Sequence, residues 1–77
     1  MVQKMVLLNT IGKAKQFCKI VSKYDFAVDL SCGSYAVDAK SILGIFSMNL
    51  IQPLKMTIYE DGTAVLPLLS EIQSMVA

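Results

Sequence analysis

The side chains that could do chemistry in this chain of 77 residues are few, because the sequence contains no histidine. Without imidazole there is no histidine general base, no Ser-His or Cys-His nucleophile and no histidine metal ligand. The carboxylates lie next to predicted turns or on predicted surfaces, where solvated side chains are expected rather than a catalytic pair. They are Asp25, Asp29, Asp38, Glu60, Asp61 and Glu71. The sequence therefore predicts a protein that is not an enzyme and holds neither metal nor cofactor.

The two cysteines, Cys18 and Cys32, lack the spacing of metal ligands. Two reduced, half-buried thiols are the favoured interpretation, and a disulfide is the alternative.

Ser41 is the hydroxyl with the most suggestive surroundings, because it heads the apolar stretch SILGIFSM, residues 41–48. A serine at a helix N-cap accepts a hydrogen bond from a backbone N–H about three residues on, here near Gly44. The same position lies at the positive end of the helix dipole, where a phosphate is stabilised, and Lys40 adjoins it. Two interpretations stay open: a plain helix cap, or a phosphorylation site.

The apolar residues of this stretch surround more than one side of the predicted helix. At 100° per residue, Ile42, Ile45 and Phe46 fall on one side, and Leu43 lies well round from Ile45. A helix of two turns on a small domain cannot bury both sides, so Leu43 or Phe46 should be exposed. The exposed residues are interpreted as a partner-binding surface, with incidental apolar surface as the alternative.

A second candidate surface is basic. Lys15, Lys19 and Lys23 recur every four residues on the first predicted helix, with Lys13 near its start. This stripe could recognise phosphate or acidic groups, or it could be an ordinary solvated face. The net charge is only +1 and arginine is absent, which argues against nucleic-acid binding.

Hydrophobic periodicity indicates the elements that must position these residues. An Asn9-Thr10 cap precedes the first helix. The two short strands that follow this helix are joined by a tight turn and form a hairpin. The predicted elements are a strand at 2–8, a helix at 11–22, a hairpin at 26–38, a helix at 41–48, a strand at 54–59 and a helix at 64–76. Their order, βαββαβα, predicts an α+β open-faced sandwich: a four-stranded, mainly antiparallel sheet with three helices on one face. Residues 1–77 are expected to form a single domain.

The two longer helices have predicted core stripes. In the first helix the stripe is Ile11, Ala14, Phe17, Cys18, Ile20 and Val21, and in the last it is Val65, Leu68, Leu69, Ile72 and Val76.

The chain is apolar for its size, with 55% hydrophobic residues and a mean hydropathy of +0.56. This composition favours a hydrophobic contact patch or self-association. The longest apolar segment, 41–54, is interrupted and shorter than the roughly 20 residues of a membrane span. We also see no signal peptide, so a cytoplasmic protein without a membrane partner is expected.

Residues 22–48 resemble the HPr family, the small histidine-containing phosphocarriers of the bacterial sugar phosphotransferase system. The resemblance rests on Ser22-Lys23-Tyr24-Asp25, on Val28 and Leu30, and above all on Lys40-Ser41-Ile42-x-Gly44-x-x-Ser47. It continues ungapped to Gly62 and covers about half the chain. It implies an open-faced sandwich of HPr type.

The N-terminal motif of the family, which contains the active-site histidine, is missing from this sequence. HPr proteins carry Gly-x-His-Ala-Arg-Pro-Ala at the start of the first helix, and the histidine accepts the phosphoryl group. In this chain LNTIGKA, residues 8–14, falls there, with Thr10 in the place of the histidine and Gly12 in that of the arginine. The strand at 2–8 also runs almost directly into the helix cap, so the active-site loop is predicted to be deleted. Phosphohistidine transfer is therefore not expected.

The resemblance implies a regulatory role instead, similar to that of Crh-type paralogues, which lack the histidine but keep the serine. In this interpretation Ser41 is the phosphorylated residue, and the partner is a protein, such as an HPr kinase or a transcription regulator. The matching partner-binding residues are Ile42, Leu43, Phe46, Lys15, Lys19 and Lys40. One alternative is a self-associating module, a homodimer without a switch. Another is a phosphocarrier by family membership only; transfer onto Thr10 or a lysine is the least favoured.

Overall fold

The computed structural model describes residues 1–77, which form four strands and three helices. The strands are β1 (Val2–Val6), β2 (Val28–Cys32), β3 (Tyr35–Asp38) and β4 (Leu54–Ile58). The helices are α1 (Ile11–Val21), α2 (Ile42–Phe46) and α3 (Leu66–Glu71), and short 3₁₀ turns cover Gly62–Val65 and Gln73–Met75. None of the helices combines the length and the apolar character that a membrane crossing requires.

The strands form one antiparallel sheet in the order β1-β4-β2-β3. The last strand in sequence thus lies between the first and the second, and pairs with both. This arrangement confirms the predicted α+β fold, an open sheet with three helices. The hairpin between β2 and β3 turns at Gly33, whose φ of 61° is easily reached only by glycine.

The core lies where the strand pattern predicts it. Leu54, Met56 and Ile58 alternate along β4 and are fully buried, as are Val28 and Leu30 of β2. Helix α1 contributes most to this core from the other side, through Ala14, Phe17, Ile20 and Val21. The alternate residues of the strands and one side of the helix are thus buried against each other in a single core.

Three local predictions were wrong. Ile11 is 65% exposed rather than part of the α1 stripe, because it stands in the first turn, beyond the edge of the core. Helix α2 spans only 42–46, less than the two turns expected. Both cysteines are free thiols, but only Cys18 is half-buried; Cys32 is exposed near the hairpin turn.

The last helix is also shorter than predicted, since α3 ends at Glu71 instead of continuing to 76. The N–H of Leu7 donates to the carbonyl of Met75, and the N–H of Ala77 donates to that of Met5, both at 2.8 Å. The end of the chain therefore pairs with β1. This change of backbone direction buries Met75 and leaves Val76 38% exposed. The predicted core stripe included Val76 and not Met75, so this part of it was wrong.

An exposed polar cluster joins the end of α1 to α3. The Lys23 ammonium and the Tyr24 hydroxyl both donate to the carboxylate of Glu71. The hydrogen bond from Lys23, followed by that from Tyr24, lowers the pKa of Glu71 below its usual value. The same carboxylate raises the pKa of the Tyr24 hydroxyl.

This cluster predicts an acid-sensitive contribution to stability. Because the pKa of Glu71 is lower in the folded chain, its contribution is present above the unfolded pKa and is lost as the pH falls through the folded pKa. Glu71→Gln should therefore lower the melting temperature at neutral pH and flatten its fall below about pH 5. Thermal melts from pH 7 to pH 3 measure this effect. Asp25→Asn is the matched control, since Asp25 is exposed and bonds to no other side chain; equal slopes for wild type and Glu71→Gln would contradict the prediction.

Candidate interaction site on the first two helices

Ser41 is the N-cap of α2. Its φ and ψ, −101° and 110°, are extended, and its Oγ accepts a hydrogen bond from the Gly44 N–H at 3.2 Å. This is the cap geometry expected from the sequence. The residue is exposed, so its hydroxyl is accessible from solvent.

The residues after Ser41 divide between the core and the surface. Ile45 is the only fully buried side chain of α2, and Ile42 is half-buried. Leu43 is 80% exposed and Phe46 is 40% exposed. The sequence predicted that Leu43 or Phe46 would be exposed, and the structure places both at the surface.

Gly44 lets α2 approach the sheet closely. A Cβ at this position would lie 3.2 Å from the Cβ of Val37 on β3 and 3.3 Å from the Oγ of Ser41. Any larger residue would therefore press on both the strand and the cap. In the sequence, the only signal of this contact is a glycine surrounded by apolar residues.

The other end of α2 is held by a contact that the sequence did not reveal. The Ser47 hydroxyl donates to the carbonyl of Gly44 at 2.6 Å, and the Tyr35 hydroxyl lies 2.7 Å from the same Ser47 oxygen. Since Ser47 uses its proton on Gly44, Tyr35 is the donor of the second bond. Tyr35 belongs to the hairpin, so no local pattern links it to α2.

Among the predicted basic residues, Lys15 and Lys19 have free ammonium groups. They are exposed and make no hydrogen bond or ion pair, whereas Lys23 binds Glu71. Lys40 is half-buried, and its Nζ donates to the backbone carbonyl of Tyr24 at 2.6 Å. Lys40 therefore fastens the start of α2 to the chain just after α1, and its charge is already engaged there.

Helices α1 and α2 also meet through Cys18. Its thiol lies 3.4 Å from the carbonyl of Lys40, so the middle of α1 adjoins the residue before the α2 cap. The structure thus brings the basic residues of α1 and the apolar residues of α2 onto neighbouring helices.

Thr10, the residue predicted from the sequence to occupy the family's histidine position, is the N-cap of α1. Its Oγ1 accepts a hydrogen bond from the Lys13 N–H at 3.1 Å, and Lys13 Nζ donates to Asn9 at 3.3 Å. No carboxylate hydrogen-bonds to the Thr10 hydroxyl, so nothing there would activate it as a nucleophile. No group of three or more cysteine or acidic side chains comes together that could hold a metal ion.

Comparison with known proteins agrees with this architecture. The family model described as the PTS HPr component phosphorylation site, PTS-HPr, matches residues 11–77. The chain belongs to the PTS-HPr family. Its members are phosphocarrier proteins, not enzymes. The match begins directly after Thr10, so β1 and Thr10 lie outside it.

Two solved structures show the same fold. HPr-C-His from Thermoanaerobacter tengcongensis is 24% identical, with a TM-score of 0.75, over 96% of this chain and 93% of that one. The phosphocarrier protein HPr from Bacillus anthracis strain Ames is 22% identical, with a TM-score of 0.71, over 96% of this chain and 95% of that one. No curated protein matches the chain.

The cap of this HPr-family chain allows a direct test. Ser41→Ala removes the acceptor for the Gly44 N–H and should lower the free energy of unfolding by about 1 kcal/mol. Ser41→Asp keeps an acceptor at the cap and should stay close to wild type. Urea denaturation measures both variants. Ser34→Ala, an exposed serine in the hairpin turn, is the control, and equal stabilities of Ser41→Ala and Ser34→Ala would contradict the capping role.

Proposed function

We propose that this chain is a regulatory HPr-like protein that acts by binding a protein partner, without phosphohistidine transfer. The docking surface, as we define it, comprises Leu43, Phe46 and Ile42 of α2 with Lys15 and Lys19 of α1. Phosphorylation of Ser41 switches binding at this surface.

The observation that carries the proposal is the 80% exposure of Leu43 on a helix whose start is the accessible hydroxyl of Ser41. An aliphatic side chain this exposed contributes little to the fold, but it can be buried by a partner. Phe46, three residues on, presents an aromatic ring, the kind of side chain that is enriched in interface cores. The two free lysines on the adjoining helix fit a partner with an apolar centre and an acidic rim.

Several features support Ser41 as the switch. Its hydroxyl is exposed, and α2 has no acidic residue in its first turn to repel a phosphate. A phosphoryl group there would add about two negative charges next to Leu43, changing the surface that a partner meets. It would also attract Lys40, which now binds the Tyr24 carbonyl. An HPr kinase is the enzyme class that this resemblance implies.

The chain lacks the side chain that phosphohistidine transfer requires. The sequence has no histidine, and the Thr10 hydroxyl in its place serves as a helix cap. An enzyme that transfers phosphate from phosphoenolpyruvate to HPr proteins should therefore leave this chain unlabelled.

Incubation with an HPr kinase and ATP, followed by mass spectrometry, tests the switch. We expect the mass of one phosphate to be added to wild type and none to Ser41→Ala. Ser47→Ala, in which the other serine bordering α2 is replaced, should be phosphorylated as wild type is. An unchanged wild-type mass, or phosphate on another residue, would refute the switch and leave only the docking role.

The exposure of Leu43 also favours a second candidate function, a homodimer formed through α2 with no switch. In that case light scattering after size exclusion would give the mass of a dimer, and Leu43→Asp would give a monomer. Leu66→Asp is the control, because Leu66 is 57% exposed but lies on α3. A wild-type monomer would exclude this candidate and favour a different protein as the partner.

A further inference from the structure

The side chain of Lys40 connects the start of α2 to the segment that follows α1. Its Nζ donates to the backbone carbonyl of Tyr24 at 2.6 Å, and no other protein group donates to that carbonyl. The bond is partly buried, and the ammonium group has no ion-pair partner. A positive charge with three N–H donors is therefore held by a single neutral acceptor.

Tyr24 extends this connection to α3. Its hydroxyl donates to the carboxylate of Glu71, and its ring stacks on that of Phe26 with the ring centroids 5.4 Å apart. The carbonyl that receives Lys40 therefore belongs to a residue that is held by its own side-chain contacts. Through the two ends of Tyr24, the start of α2 is linked to α3.

The backbone of Lys40 is anchored independently of its side chain. Its N–H donates to Oδ1 of Asp38 at 2.9 Å, and its carbonyl lies 3.4 Å from the Cys18 thiol. The Asp38 carboxylate makes no ion pair with the Lys40 ammonium. The ammonium can therefore change its partner while the backbone at the start of α2 stays in place.

We propose that Lys40 transmits phosphorylation of Ser41 to the rest of the fold, because its ammonium leaves the Tyr24 carbonyl and binds the phosphate. This inference rests on the proposed function, in which Ser41 is the phosphorylated residue. The two residues are adjacent in the chain, and the flexible side chain of lysine can reach a phosphate on its neighbour. The phosphate is the stronger acceptor, since its negative charge attracts the ammonium and a neutral carbonyl does not.

This exchange has two consequences for the docking surface. The link from α2 through Tyr24 to α3 is broken, while the phosphoryl oxygens still accept the Gly44 N–H and preserve the helix cap. The positive charge of Lys40 also moves from a half-buried position to the surface beside Ser41. A partner therefore meets a phosphate that is paired with Lys40 and not an isolated phosphate.

Nuclear magnetic resonance of the full chain, synthesised chemically with phosphoserine in place of Ser41, tests this proposal without a kinase. The ¹³C signal of the Tyr24 carbonyl should move upfield relative to the unmodified chain, because that carbonyl loses its hydrogen bond. The control is a chain with phosphoserine in place of Ser34, an exposed residue of the hairpin turn, and it should leave the Tyr24 signal unchanged. A Tyr24 signal that does not move when Ser41 carries phosphate would overturn the proposal.

Lys40→Met shows whether the Lys40 ammonium is the group that moves. In this variant the Tyr24 signal should already lie upfield, and phosphate on Ser41 should not shift it further. The pKa of the phosphate, followed by ³¹P resonance, should be about 0.5 lower with Lys40 present than in Lys40→Met, the effect of one exposed ion pair. Lys19→Met removes a free ammonium from α1 and is the matched control, so it should alter neither value. Equal effects of the two substitutions on the phosphate would overturn the proposal.

Phosphorylation by a kinase and the response of Lys40 can fail separately. A chain that an HPr kinase leaves unmodified, but whose Tyr24 signal moves when phosphoserine is introduced by synthesis, would refute the switch and support the exchange at Lys40. A chain that the kinase phosphorylates on Ser41 without any movement of the Tyr24 signal would support the switch and overturn the exchange.

Discussion

The pairing of β4 with both β1 and β2 is the interaction on which the rest of this structure depends. Strand β4 comes after both partners in the sequence, yet it lies between them in the sheet. It therefore joins β1 to the β2–β3 hairpin. Its Leu54, Met56 and Ile58 are fully buried, and they form the floor on which the helices pack. Without this strand, β1 would have no partner strand and the β2–β3 hairpin would stand alone, and an isolated hairpin is marginally stable in water.

The part of the fold that the sequence predicted is the part with clear periodicity. Alternation along β4 and the hairpin, together with the caps at Thr10 and Ser41, was enough to derive the order of elements. The end of α3 could not be derived in this way. Leu69, Ile72 and Val76 satisfy a helical stripe, but the open edge of β1 offers Met75 and Ala77 hydrogen bonds that a helix does not. Local periodicity contains no information about such a distant edge.

The candidate site was predictable to a similar degree. The sequence located Ser41, Leu43 and Phe46 by two signals. Ser41 is a typical helix cap, and a short helix with apolar residues on more than one side must expose some of them on a small domain. It did not reveal that Lys40 is engaged by the Tyr24 carbonyl, or that Tyr35 supports Ser47. Both contacts join segments that are distant in sequence. They bind the two ends of α2 to the segment that follows α1 and to the hairpin, so contacts with the rest of the fold hold α2 in place.

The single buried side chain of α2, Ile45, has a consequence for how this surface can move. A helix of five residues with a single fully buried side chain can open locally at a lower free energy than the sheet. Whether the exposed side chains of α2 are covered therefore affects how often the helix opens. A protein that covers Leu43 and Phe46 would also suppress this opening, and part of its binding free energy would be spent on ordering the helix.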